Sequence, residues 1–430
     1  MTAAFTADAS RAIPGPEWLA ARRRAAADQL AGVSWPTPAE EIWRYSRIDE
    51  FDLGRYQPVP PEELGAPGVE GAPGGGPFAA EAGERAGLVV VRDGRVVHHE
   101  LDTALEAKGV RVCALETCEE AQVRDRLGRV SDASPDAFVT LHDAFLAGGA
   151  LIEVPDGVVV DRPIVVVHWC EGDGQASFPH TLVVAGETSA LAVVERYASP
   201  NTDHFVDAVV ELIVGDGAQV RYLSTQEHGP RTWQVALQRA HVGRDASLRS
   251  IAIALGGDYA RLRTESLLTG TGAESDLLAV YYGDEKQMLD FRTLQDHAAP
   301  RTRSDLLFKG AVEDEARSVY SGLVRLRREA QKSNAHQTNR NLVLTEGAGA
   351  ESIPNLEIEA NDVRCSHAST VGPIDDDQLY YLESRGVPPA TAERLIVLGF
   401  FEDVFQRLPV PALAAPLRRA VNEKVGHLPS

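Results

Sequence analysis

Between about residues 150 and 360 one pattern of apolar and polar positions recurs: a Gly, a small or acidic spacer, a small residue, then a short run rich in Val, Ile and Leu. It reads Gly186-ETSALAVVERY, Gly215-DGAQVRYLSTQ, Gly243-RDASLRSIAIA and Gly270-TGAESDLLAVYY, with steps of 29, 28 and 27 between the glycines. A near-constant step in this range marks stacked units that bury their apolar faces against one another. Short β-branched runs fill the units, so the pattern predicts a β-solenoid whose inward side chains stack from coil to coil. A β-sandwich also has short strands at regular spacing. The Gly-x-x-Ala recurrence favours the solenoid.

The flanks have a different period. Pro16 followed by EWLAARRRAAADQLAG predicts a helix ending at Gly32, since Pro suits the first helical turn and Gly the C-terminal cap. Thr37-Pro38-Ala39-Glu40 is a capping box that predicts a second short helix carrying Ile42, Trp43 and Tyr45. Residues 57–87 concentrate Pro and Gly and predict a linker. LVVVRDGRVVHHEL predicts a hairpin about Asp93-Gly94. Beyond 370, DDDQLYYLESRG and ATAERLIVLGFFEDVFQRL read as two helices, with Leu395, Leu398, Phe401, Phe405 and Leu408 at three- and four-residue steps, and a last segment runs from Pro411 to Leu428. The expected organisation is a helical region at 1–56, the linker at 57–87, a mixed α/β lead-in at 88–145, the β-helix at 146–368 and a helical domain at 369–430.

Charge and composition narrow the function. Lys and Arg number 42 against 63 Asp and Glu, a net −21 that repels a phosphate backbone, so nucleic acid is not an expected partner. MTAAFTADAS lacks the basic and apolar parts of a secretion signal, and no apolar stretch approaches the roughly 18–20 residues that span a bilayer, so no membrane association and a cytoplasmic location are expected. Neither G-x4-GK[ST] nor G-x-S-x-G occurs, which leaves no nucleotide loop and no serine-hydrolase elbow. Asp375, Asp376 and Asp377 resemble on paper the acid cluster of a β-helix carbohydrate enzyme, but they open a helix, where the dipole favours negative charge.

Cys113, Cys118 and Cys170 read as small buried thiols. Most of the 12 histidines stand alone, and His98, His99, His168, His180 and His297 read as surface or coil residues. In DVRCSHAST, Cys365 and His367 are two apart, so on a strand both face one side and could share a soft metal or sulfur species. Two ligands make half a site. By spacing alone a structural pair is the plainer reading, and a partner chain would have to complete the site.

The stretch DVRCSHASTVGPIDDDQLYYLESRGVPPATAERLIVLGFFEDVFQRLP, with ARSVYSGLVRL and NAHQTNRNLVL before it, resembles the SufB/SufD family of iron–sulfur cluster assembly scaffolds over roughly residues 140–410. WPTPAEEIWRYSRIDEF is similar to the aromatic-rich opening of SufD-type chains. The resemblance implies a right-handed parallel β-helix with helical flanks and a non-catalytic scaffold pairing with a SufB chain. It also implies that a SufC ATPase docks on the C-terminal helices, where Tyr380, Tyr381, Leu395, Phe400 and Phe401 offer apolar surface. The SufB cysteine and glutamate positions fall at Asn339 and Ala368, so this chain is of the SufD type. His367, with Cys365, would then present a ligand to a cluster forming transiently at the SufB interface. A SufB-like homodimer is the alternative within the family, and whether a flavin binds stays open.

Overall fold

The computed structural model describes residues 4–64, 84–123, 126–131 and 136–425; of Gln122 only the backbone is described. The chain is mainly β, a β-solenoid of about eight turns with helices at both termini. Each turn contributes one strand to each of two parallel sheets. The first sheet runs through Ala150–Val154, His180–Ala185, His204–Val214, Trp233–Val242, Tyr259–Leu268, Met288–His297, Arg317–Leu326 and Gly349–Ile358. The second runs through Ile164–Trp169, Ala190–Ala198, Gln219–Glu227, Ser247–Ala254, Glu274–Gly283, Arg303–Val312, Asn334–Val343 and Arg364–Gly372. Ala190 pairs with Gln219, Gln219 with Ser247 and Ser247 with Glu274, the same offsets as between the repeat glycines.

The corners explain the repeat. Gly186, Gly215, Gly243 and Gly270 are small because the coil beneath lies against them: a Cβ on Gly270 would sit 2.0 Å from the Arg244 amide nitrogen, and one on Gly215 2.8 Å from the Ala185 carbonyl. The left-handed turn lies two residues later, at Thr188 (φ 56°), Gly217 (φ 69°), Asp245 (φ 54°) and Gly272 (φ 77°). The repeat glycine therefore marks close approach of coils rather than a positive φ, and the turn itself accepts Thr and Asp as well as Gly. Each corner is tied to the next, as in Thr188 N–H to Asp216 O (2.8 Å) and Gly217 N–H to Arg244 O (2.7 Å).

Inside, Val183, Leu212, Ala240 and Leu268 of the first sheet meet Leu191, Val193, Val220 and Leu248 of the second, all buried. Each Val or Leu among them contributes on the order of 1.5–3 kcal/mol by leaving water. Towards the C-terminal end the interior becomes aromatic, with Tyr281, Phe291, Phe308 and Tyr320. Two layers cover the outside. The N-terminal region lays Phe5, Ile13, Leu30, Trp43 and Ile48, together with Phe138 and Phe145, on Phe205, Trp233 and Tyr259 of the first sheet. The C-terminal helices lay Val397, Phe401, Val404 and Phe405 on Ile251, Leu278, Val280 and Tyr282 of the second.

The first helix expected after Pro16 spans Glu17–Leu30, and Gly87–Arg92 pairs antiparallel with Arg95–Leu101 about Asp93-Gly94. The capping box forms only in part. Glu40 accepts from the Thr37 amide at 3.0 Å, yet the helix behind it is a single 3-10 turn, Glu41–Trp43, because the chain turns left-handed at Tyr45 (φ 63°) to seat Trp43 and Ile48 on the sheet. Of the Pro- and Gly-rich stretch, 65–83 lies outside the described residues. Its start is pinned: Gln57 and Pro58 pair with Gln175 and Ala176. The final helix is Ala414–Val425, and residues 426–428 of the segment expected to reach Leu428 lie outside the described residues. No helix among the described residues is long and apolar enough to cross a membrane.

Candidate functional site

The last coil of the β-helix is built differently from those beneath it. Gly349–Ile358 and Arg364–Gly372 end their sheets, so among the described residues each is paired along one edge only. Arg364–Gly372 keeps the register of Asn334–Leu342, placing Cys365 over Ala335, His367 over Gln337 and Ser369 over Asn339. Ala335, Gln337 and Asn339 are buried in the interior, so Cys365, His367 and Ser369 share the inward face by strand alternation. The expectation that Cys365 and His367 face one side is met. Their surroundings differ, however. Cys365 is half-buried against Val324, Leu326 and Ala335, and burial pushes its thiol up. His367 is exposed and, among the described residues, makes no hydrogen bond within the chain.

Beneath them lies a polar interior. Gln337 Nε2 donates to the Tyr320 hydroxyl (2.9 Å), which also meets Thr293 Oγ1 (3.1 Å). Asn339 Nδ2 donates to the Tyr281 hydroxyl (3.0 Å) and to Phe308 O (3.2 Å), while that hydroxyl donates to Asn341 Oδ1 (2.6 Å). Asn339 is thus fully buried and satisfied. Ala368 alternates to the outer, exposed side of its strand. Neither an amide nor a methyl group supplies an anionic ligand. Ser369 Oγ donates to Ser352 Oγ (2.7 Å), tying the two end strands together. Ile358 and Val371, at 47% and 43% exposure, leave apolar surface on both.

The C-terminal helices begin at Asp375, whose Oδ1 accepts from the Asp377 and Gln378 amides at 2.9 and 3.1 Å. The acid cluster is therefore a helix cap, as its position in the sequence suggested. Asp376–Ser384 buries no residue. Tyr380, Tyr381 and Leu395 are 72%, 56% and 47% exposed. Phe401 is fully buried on the second sheet, so it holds the helix to the β-helix and offers no surface to another chain, and Phe400 is half-covered beside it. Lys309 Nζ fixes the same helix by donating to Phe400 O (2.7 Å) and Asp403 (2.5 Å).

The other cysteines and histidines sit elsewhere. Cys118 and Cys170 are buried, and Cys113 half-buried with its Sγ 3.5 Å from that of Cys118. His168 and Thr181 converge on the buried Glu195, His180 meets His142 and Glu211, and His297 bridges Thr302 and Ser304. These are coil residues whose rings meet partners inside the fold, although among the described residues the buried His168 Nδ1 has none, while His98 and His99 lie on the exposed hairpin strand. One grouping had no signal in the sequence: Asp93, Cys170 and His204 come together in the folded chain, all buried.

Comparison with known proteins agrees with this architecture. Residues 168–400 match the family model described as "SUF system FeS cluster assembly, SufBD core domain". The chain is 30% identical over 427 residues to the iron–sulfur cluster assembly protein SufD of Bacillus subtilis, covering 95% of this chain and 94% of that one. It is 35% identical over 283 residues to an iron–sulfur cluster assembly SufBD family protein of Mycobacterium tuberculosis, covering 64% and 70% respectively. A two-sheeted β-helix with helical flanks, matched across its coils and into its C-terminal helices, places this chain in the SufBD family of iron–sulfur cluster assembly proteins.

Proposed function

We propose that this chain is a SufD-type scaffold subunit, itself non-catalytic, that pairs through its last coil with a SufB-type chain and offers its C-terminal helices to a SufC-type ATPase. The observation that carries the reading is the open end of the β-helix. Two neighbouring strands with free backbone edges invite strand addition, and the exposed Ile358 and Val371 add apolar surface to the same face. His367 lies on that face with its imidazole uncommitted. As a neutral ligand it suits iron, whereas the raised thiol of Cys365 is protonated near neutral pH and makes it the weaker contributor. With Asn339 and Ala368 where anionic ligands would be needed, the thiolates for a nascent cluster would come from the partner. The cluster is cargo in this reading, held at the interface until passed on.

Co-expression with a SufB-type and a SufC-type chain, followed by size-exclusion with light scattering, tests the proposal. A stable complex of one SufB, two SufC and one copy of this chain is expected. Recovery of this chain only as a monomer or as a dimer of itself, with both partners soluble alongside, removes the basis of the reading.

A further inference from the structure

At the opposite end of the β-helix from His367, three buried side chains from separate segments converge. Asp93 lies in the hairpin turn between Gly87–Arg92 and Arg95–Leu101, Cys170 comes directly after the strand Ile164–Trp169, and His204 opens the strand His204–Val214. One ligand atom from each lies within 4.8 Å of the others. We propose that Asp93, Cys170 and His204 hold a divalent transition metal of the zinc or ferrous class that staples the N-terminal hairpin to the first coils.

The histidine is already oriented for this role. Its Nδ1 lies 2.7 Å from the Gly172 carbonyl, which can only accept, so Nδ1 carries the proton and Nε2 keeps its lone pair. Nε2 points at Ser177 Oγ (3.0 Å), and the same hydroxyl lies 3.2 Å from Cys170 Sγ. The Ser177 hydroxyl thus lies beside two of the three ligand atoms, so that it or a water in its place could supply a fourth ligand. Charge favours the same reading. On binding, the thiol gives up its proton, and a divalent cation cancels the two charges of the resulting thiolate and carboxylate beside a neutral imidazole, in a place where uncompensated charge is costly. Arg92 Nε lies 3.6 Å from Asp93 Oδ2, but that guanidinium is itself bonded to Glu171, so its charge is locally matched. Asp93 Oδ1 also accepts from the Glu171 amide at 3.2 Å and retains a lone pair.

The mixed sulfur, nitrogen and oxygen set selects zinc-like ions over magnesium or calcium. Five strand steps separate the His204 strand from the last strand of the first sheet, about 24 Å at the usual spacing between strands, so this site is distinct from the one at His367.

Cobalt(II) titrated into the chelator-treated full chain is the test. One equivalent should bind, with a single thiolate-to-cobalt charge-transfer band and a raised melting temperature. The band should vanish in Cys170→Ser and persist in Cys365→Ser and Cys118→Ser. Retention of the band in Cys170→Ser, or saturation by cobalt without any such band, overturns the proposal. Should Cys170→Ser fail to fold, X-ray absorption on the zinc-loaded wild type decides: one sulfur among nitrogen and oxygen ligands is expected, whereas no sulfur, or the two sulfurs of a Cys113–Cys118 pair, rules the site out.

Discussion

His297 shows what burial costs an imidazole whose two nitrogens meet only hydroxyls. Burial pushes it down to about 4 while Thr302 and Ser304 occupy its two nitrogens. In the unfolded chain it titrates near ~6.5. Between these values the unfolded chain binds a proton that the folded chain refuses, so its contribution to stability is whole above pH ~6.5 and is lost as pH falls towards 4, by up to about 1.4 kcal/mol per pH unit. His297→Gln should therefore lose less of its unfolding midpoint than the wild type between pH 7 and pH 5. Equal losses in the two proteins would show that this imidazole does not titrate on unfolding. Gly310 is a second sensitive position, because a Cβ there would lie 1.9 Å from Tyr281 Cε2 in the interior. Gly310→Ala is expected to cost about 1–3 kcal/mol, read as a lower denaturation midpoint. Such residues were hard to find in the sequence. Cys365 and His367 were legible because two positions on one strand share a face, whereas Asp93, Cys170 and His204 come from three segments that only the folded coils bring together.

At the scale of elements, the β-helix strands were legible because their inward positions repeat at nearly constant offsets, and the C-terminal helices because Phe401, Phe405 and Leu408 fall on one stripe. The pairing of Gln57 and Pro58 with Gln175 and Ala176 was not, since a two-residue strand has no periodicity to show. Nor did the capping box at Thr37 disclose that its helix would stop after one turn, because the packing of Trp43 and Ile48 on the sheet decides that. The helix Pro389–Phe405 is held by Lys309, whose side chain is 4% exposed. Lys309→Met keeps the stem and removes the donor to Phe400 O, so faster limited proteolysis within 389–405 is expected at little change in global melting. Cleavage at the wild-type rate would assign the anchoring to Phe401 and Val404 alone. On the outer side, Tyr380→Ala with Leu395→Ala touches no buried residue and should weaken capture of a SufC-type ATPase at least tenfold while leaving the partner at the other interface in place. Unchanged capture would move that dock elsewhere.

For the whole molecule, the site proposed at His367 depends on where the repeat stops. No coil motif announces that end, so the open edges could not be read from the pattern that revealed the coils. Val371→Lys places a charge on the terminal strand, where a lysine on an edge opposes strand addition. The isolated chain should melt as the wild type does, and pairing with a SufB-type chain should be lost in size-exclusion. His367→Ala should instead leave the complex assembled and lower the iron and acid-labile sulfide it retains, with a smaller loss for Cys365→Ser. Undiminished cluster content in both variants would leave the chain a purely architectural role.

A stack whose coils touch only their neighbours unravels from its ends, and the terminal coil, lacking a neighbour on one side, frays first. Amide hydrogens of 349–372 should then exchange fastest within the β-helix and those of 233–283 slowest, with the difference erased once a partner is seated. In the complex proposed above, His367 would be held still only in company, so that a docked partner, rather than the lone chain, would switch on the proposed capacity to hold iron.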